Sequence, residues 1–168
     1  VYDFVQMICG NQKIILSEHF RCLPEIIRFS NEAFYYNQIN PLRVRSSENT
    51  IEKPILTRYV EGATCTRKGS NNIININELE ETIKILKEIE VDPTYKNKTI
   101  GIIIMQSPTY AIKALYQMIN NNFSEKFIND RKLKIGSSYD FQGDEKDIIL
   151  NDMARACSQC ISSKLQQF

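Results

Sequence analysis

Apolar residues along this chain follow two periods, and their alternation outlines the fold. Residues 13–16 read as a short strand. Pro24 then opens a helix on which Ile26, Phe29, Ala33 and Phe34 share one face, since proline sits without cost at a first helical position. A polar segment over residues 37–53 precedes a second strand at 55–60. Asn77, with Glu80 three residues on, has the spacing of a capping box and predicts a helix carrying Leu79, Ile83 and Leu86 inward. Pro93 closes that region. Residues 99–105 (TIGIIIM) are apolar almost throughout, as in a strand of a parallel sheet that is covered on both faces. Ala111, Ile112, Leu115, Met118 and Ile119 form the stripe of a further helix, and residues 132–135 and 147–150 complete the strands. Strands alternating with helices around a buried inner strand predict a three-layer α/β domain with a mostly parallel sheet and helices on both faces. Such a fold hosts many activities, so function has to come from particular residues.

Composition narrows the classes. A chain of 168 residues suits one domain. With 21 Lys and Arg against 20 Asp and Glu, there is no general basic signature for nucleic acid, so any such binding is local. No apolar run approaches the roughly 18 residues that span a bilayer, and the N-terminus lacks the plan of a signal peptide, which leads us to expect a cytoplasmic protein without a membrane partner. Five scattered cysteines are an odd number and a poor disulfide framework, so reduced thiols are expected.

The segment GSSYDFQGDEKDIIL, residues 136–150, places four acids and a glycine before an apolar run. A metal loop, a catalytic acid pair, a nucleotide clamp and a solvated acidic turn are all compatible with that composition. An acid that holds magnesium at a nucleotide follows its apolar strand, whereas here the apolar run follows the acids. No phosphate loop is present either: Lys68-Gly69-Ser70 has lysine and glycine in the wrong order. Counting from Asp140 gives neither the glycine nor the glutamate of a calcium loop. Cys157-x-x-Cys160 has no second ligand pair to close a tetrahedral zinc site, so no metal site is expected. His19 with Cys22 lacks a third residue to orient the histidine as a base.

Several segments in fixed order nevertheless resemble the second RecA-like domain of superfamily 1 helicases, in the branch of Upf- and Dna-two-like enzymes. SEHFRCLPEIIRFSNEAFYYNQINPLR (17–43) is similar to motif IV and its helix, and residues 136–150 are similar to motif V. NELEETIKIL (77–86) and DPTYKNKTIGIII (92–104) lie between them in the family's order. The resemblance implies a RecA-like domain over residues 1–150, without its own phosphate loop, and a tail over 151–168. It implies the motor half of an ATP-dependent DNA or RNA helicase, inactive as this piece alone. The partners implied are single-stranded DNA or RNA and a preceding RecA-like domain of the same protein, which would hold most of the Mg2+ of MgATP. By position, Arg21 would reach the γ-phosphate, where a planar permanent cation suits the developing charge. Phe20 would stack on adenine. Gln142 and Gly143 would line the phosphates, and Glu145 would accept from a ribose hydroxyl. Ser137, Ser138 and Asp140 would lie at the nucleic-acid backbone. Met153-Ala154-Arg155-Ala156 is a short counterpart of motif VI, with Arg155 as a second arginine finger. The rival from another class is a non-catalytic nucleic-acid or protein-binding module that kept the fold.

Overall fold

A computed structural model describes residues 7–8, 16–43, 53–60, 65–67, 73–105, 108–152 and 163–166, and the chain divides into two compact units, Val1–Val44 and Arg45–Phe168. In the first unit, β1 (Glu18–His19) leads into α1 (Pro24–Phe34), which returns to β2 (Asn40–Pro41), parallel to β1. Pro24 occupies the first turn of α1, as expected. The helix ends where Tyr36 and Asn37 take positive φ, 51° and 59°, a conformation that asparagine tolerates better than most residues. The Asn31 side chain then fixes the return, accepting from the Ile39 amide at 2.9 Å and donating to its carbonyl at 2.8 Å. The stripe expected on α1 is not a buried one: α1 has no buried residue, and Phe29 meets Phe34 edge to face at 6.3 Å. Most of the strand expected at 13–16 lies outside the described residues.

The second unit contains β3 (Ile55–Arg58), β4 (Cys65–Arg67), β5 (Ile73–Asn75) and α2 (Ile76–Val91), followed by a 3-10 turn at Pro93–Tyr95. Then come β6 (Ile100–Ile104), α3 (Pro108–Asn122), α4 (Glu125–Asp130), β7 (Lys134–Gly136), β8 (Ile148–Asp152) and β9 (Ser163–Gln166). The five-stranded sheet has the order β3-β9-β8-β6-β7. β6 runs parallel to both β8 and β7, and β9 is antiparallel to β8 and β3, so four of the five strands point one way. β4 and β5 form a separate hairpin. The architecture is therefore the expected α/β class with parallel strands and helices, that of a RecA-like domain.

Strand periodicity explains how β6 is used. Ile100, Ile102 and Ile104 are at most 1% exposed and pack against Leu79, Ile83 and Leu86 of α2 and Ala111, Leu115 and Ile119 of α3. Each such side chain contributes roughly 1.5–3 kcal/mol by leaving water. Gly101 and Ile103 point to the other side, because successive side chains of a strand alternate. Among the described residues of this unit, α2 and α3 cover one face of β6. At Gly101 the other face meets Phe141 and Lys146, from the segment between β7 and β8, where a helix was expected.

The start of α2 is also corrected. Its N-cap is Asn75, whose side chain accepts from the Glu78 amide at 3.3 Å, rather than Asn77. Asn75 has the extended backbone that a cap requires, while Asn77 already lies inside the helix.

Candidate functional site

The 137–147 segment is a chain of turns seated on the outer face of β6 and β7. Its amides at Asp140, Gln142 and Asp144 donate to the carbonyls of Ser137, Tyr139 and Phe141. Two glycines on that face let it approach. A Cβ on Gly101 would stand 2.6 Å from Phe141 Cε1 and 2.8 Å from Ile149 Cδ1, and one on Gly136 would stand 2.7 Å from Asp140 Cβ. All of these distances are below van der Waals contact, so the two positions require glycine for space. Gly143, in the turn itself, requires it for conformation: its φ is +83° and nothing lies near its Cβ position.

Three of the four acids hold this segment in place. Asp140 Oδ2 accepts from both the hydroxyl and the amide of Ser137 at 2.7 Å, which holds its carboxyl below the usual range. Asp144 accepts from the Lys134 ammonium at 2.6 Å, and that cation lowers it likewise. Asp147 Oδ2 takes the amide and hydroxyl of Thr99 at 2.8 and 2.7 Å, just where β6 and β8 begin. Lys134 also donates to the Asp140 carbonyl at 2.6 Å and sits 5.0 Å above the centre of the Phe141 ring. Exposed on this braced frame are Ser138, Gln142, Gly143 and Glu145. The structure thus brings the candidates of this segment onto one loop and ties two of them, Ser137 and Asp140, to each other.

The frame itself was missed in the sequence. Lys134, Thr99 and Phe141 carried no assigned role, and the one signal present was a glycine inside the isoleucine run of β6, which marks close approach of another group.

Phe20 and Arg21 lie in the first unit, in the link from β1 to α1. That link is held by its backbone: the Cys22 amide donates to His19 Nε2 at 3.0 Å, the Arg43 guanidinium donates to the Arg21 carbonyl, and Ile26 N–H reaches the Leu23 carbonyl at 3.0 Å. Cys22 and Leu23 are buried, whereas Phe20 is 66% exposed and Arg21 is exposed. Arg155, Cys157 and Cys160 lie outside the described residues, as do Lys68-Gly69-Ser70. Among the described residues no three potential ligand side chains gather at one metal position, and no helix is long and apolar enough to cross a membrane.

Two polar features lie elsewhere in the second unit. Glu78 is buried at the start of α2, with one carboxyl oxygen lacking a hydrogen-bond partner; burial first, then the Asp152 carboxyl against it, pushes it up to about 9. A cavity of about 130 Å³ is lined by Leu56, Ile85, Ile89 and Leu150, with Arg58 at its rim. That guanidinium is committed to Glu81, at 3.2 Å, and to Glu88, and none of the candidate residues lines the cavity.

A family model described as AAA domain matches residues 3–165 of the chain. No curated protein matches it.

Proposed function

We propose that this chain, which belongs to the AAA-domain family and is a helicase-like domain of the superfamily 1 Upf-like type, serves as the second RecA-like domain of an ATP-dependent DNA or RNA helicase. The observation that carries this reading is the braced 137–147 segment, which presents an exposed amide, glycine and carboxylate in one turn. These groups fit a nucleotide. Glu145 is an acceptor-only group suited to a ribose hydroxyl, and Gln142 with the open backbone at Gly143 suits phosphate oxygens. MgATP would supply the bond to be cleaved, with its Mg2+ held mainly by a preceding RecA-like domain. Arg21, exposed on a link whose backbone is fixed, is the residue for the γ-phosphate. Its charge and planar fork match the charge that develops there without reorganisation. Phe20 offers an exposed ring for adenine. Ser137, Ser138 and Asp140 form the nucleic-acid end of the segment, and Arg155 is a second cation for phosphate. Residues 1–150 make up the motor domain and 151–168 its tail.

One observation favours the protein-binding form of the non-catalytic alternative. Ser137 directs both its donors to Asp140, whose ionised carboxyl repels a phosphate backbone. ATP hydrolysis by the full-length product, with and without single-stranded DNA or RNA, separates the two readings. The motor reading expects stimulated turnover by the whole protein and none by this chain alone; absence of turnover from the whole protein would favour the binding module. Within an active enzyme, Arg21→Ala should lower kcat by at least about a hundredfold, since arginine fingers are worth about 10³ to 10⁵. Arg21→Lys should rescue little, because an ammonium loses the two-point geometry. If both variants turn over within a few-fold of the parent, Arg21 is structural.

A further inference from the structure

We infer that Lys134 is the positioning residue of the nucleotide-facing turn: it acts through Asp144 to set Glu145 against the ribose. The inference rests on the motor reading above. Lys134 stands in β7 level with Gly101, on the outer face of the sheet. Its ammonium donates to the Asp140 carbonyl and to Asp144 Oδ2, both at 2.6 Å, so one rigid strand residue holds both ends of the five-residue turn that contains Gln142 and Gly143. The other oxygen of Asp144 accepts the Glu145 amide at 3.2 Å, which continues the path from the strand to the Glu145 backbone. Phe141 lies under the ammonium and fills the space left by Gly101.

A single half-exposed ion pair would do little, because water screens it and the lysine stem loses rotamer freedom. Here one cation has three partners, and two of its three N–H donors are committed at the two ends of the same turn. The need is local as well. Gly143, at φ +83° with open space at its Cβ position, has no side chain to restrict its rotation, and it lies two residues before Glu145. Without the tie, the rotation of Gly143 would carry Glu145 with it. A displacement of about 1 Å in a group that orients substrate can cost as much as a hundredfold.

The test uses the full-length protein with Lys134→Met, which keeps the stem over Phe141 and removes the cation, and Lys134→Arg, which keeps charge and donors. Two readouts are independent. Amide exchange at Asp140, Gln142 and Asp144 needs no nucleotide, and Lys134→Met should speed it about tenfold. Steady-state hydrolysis of ATP is then compared with that of its 2′-deoxy and 3′-deoxy analogues. Lys134→Met should raise KM for ATP about tenfold with kcat within a few-fold, and should reduce discrimination against the disfavoured analogue to the level of Glu145→Ala. Lys134→Arg should recover most of both effects. Unchanged exchange overturns the inference. So does faster exchange with parental discrimination, or an equal loss for ATP and analogues, which is the mark of a purely structural role. A parent that turns over ATP but ignores the ribose hydroxyls removes the role of Glu145 and this inference with it. A parent without ATP turnover overturns the motor reading itself, a separate failure that takes this inference with it.

Discussion

The two faces of the sheet put one strand to opposite uses. On the inner face of β6, Ile100, Ile102 and Ile104 pack on α2 and α3 with almost no accessible surface. On the outer face, Gly101 withholds a side chain so that Phe141 can sit against the strand, and the neighbouring face of β7 supplies Lys134 and Gly136. The inner face is held by apolar area, a non-directional force that tolerates changes of shape at modest cost. The outer face is held by directed contacts, an ammonium on a carbonyl and a carboxyl, and an aspartate on a serine. Stability should therefore be concentrated inside, and the geometry of the exposed groups outside.

The largest expected effect breaks that comparison if it fails. Leu115 is fully buried in α3, and Leu115→Ala should cost about 2–5 kcal/mol in chemical denaturation by removing buried area and leaving a cavity. On the proposed motor reading, the comparison also requires that ATP turnover by the full-length variant, assayed well below its melting temperature, stay within a few-fold of the parent. Gly101→Ala is the outer counterpart. Its Cβ would meet Phe141 and Ile149 at under 3 Å, so roughly 1–3 kcal/mol is expected from overpacking. Displacement of Phe141 should also weaken ATP hydrolysis more than Leu115→Ala does, although the loss of stability is smaller. Equal effects on turnover would show that the two faces are not separate in function.

What was legible in the sequence follows the same division. The isoleucines of β6 and the stripes of α2 and α3 are periodic, and periodicity reports burial directly, so those elements and their inward residues were recognised. The seat of the 137–147 segment was not, because the ring that closes on Gly101 comes from 40 residues further along the chain and no local pattern joins them. Four acids in that segment read as one acidic cluster, yet each of three is spent on its own partner, Ser137, Lys134 or Thr99. β9 was missed for another reason: Ser163–Gln166 is four residues long and mostly polar, and only its pairing with β8 and β3 makes it a strand.

Glu78 is the polar exception on the inner face. It meets Asp152 at the end of β8, on the side of Ile148 and Leu150. An unfolded glutamate titrates near 4.5, and this one is pushed up to about 9. Below about pH 4.5 both states hold the proton and burial carries no ionic cost. Between the two values the folded state keeps a proton that the unfolded chain releases, so stability falls as pH rises, and the fall ends above about 9. Glu78→Gln removes the titration. It should therefore stabilise the chain at pH 8 and change its stability by almost nothing at pH 4.5. Denaturation midpoints across pH 4.5–9.5 give the answer, and a gap that does not vary with pH would show that Glu78 is not held protonated.

The smallest effect concerns where α2 begins. The sequence Ile73-Ile-Asn-Ile-Asn77 contains two asparagines two residues apart, and each has a glutamate three residues on, Glu78 for Asn75 and Glu80 for Asn77. The capping pattern is therefore written twice, and spacing alone does not choose between the copies. Burial does: Asn75 is 3% exposed at the end of β5, with its side chain on the Glu78 amide, and it closes the inner face beside the Glu78 and Asp152 pair. Asn75→Ala should cost about 1 kcal/mol, the usual loss of a cap, because the Glu78 amide would be left buried without its acceptor. Asn77→Ala, inside the first turn, should cost clearly less, since alanine is the better helix former there. Parallel denaturation of the two variants decides the matter, and an equal or reversed order would move the start of α2 two residues on, to the copy of the pattern that lies outside the buried layer.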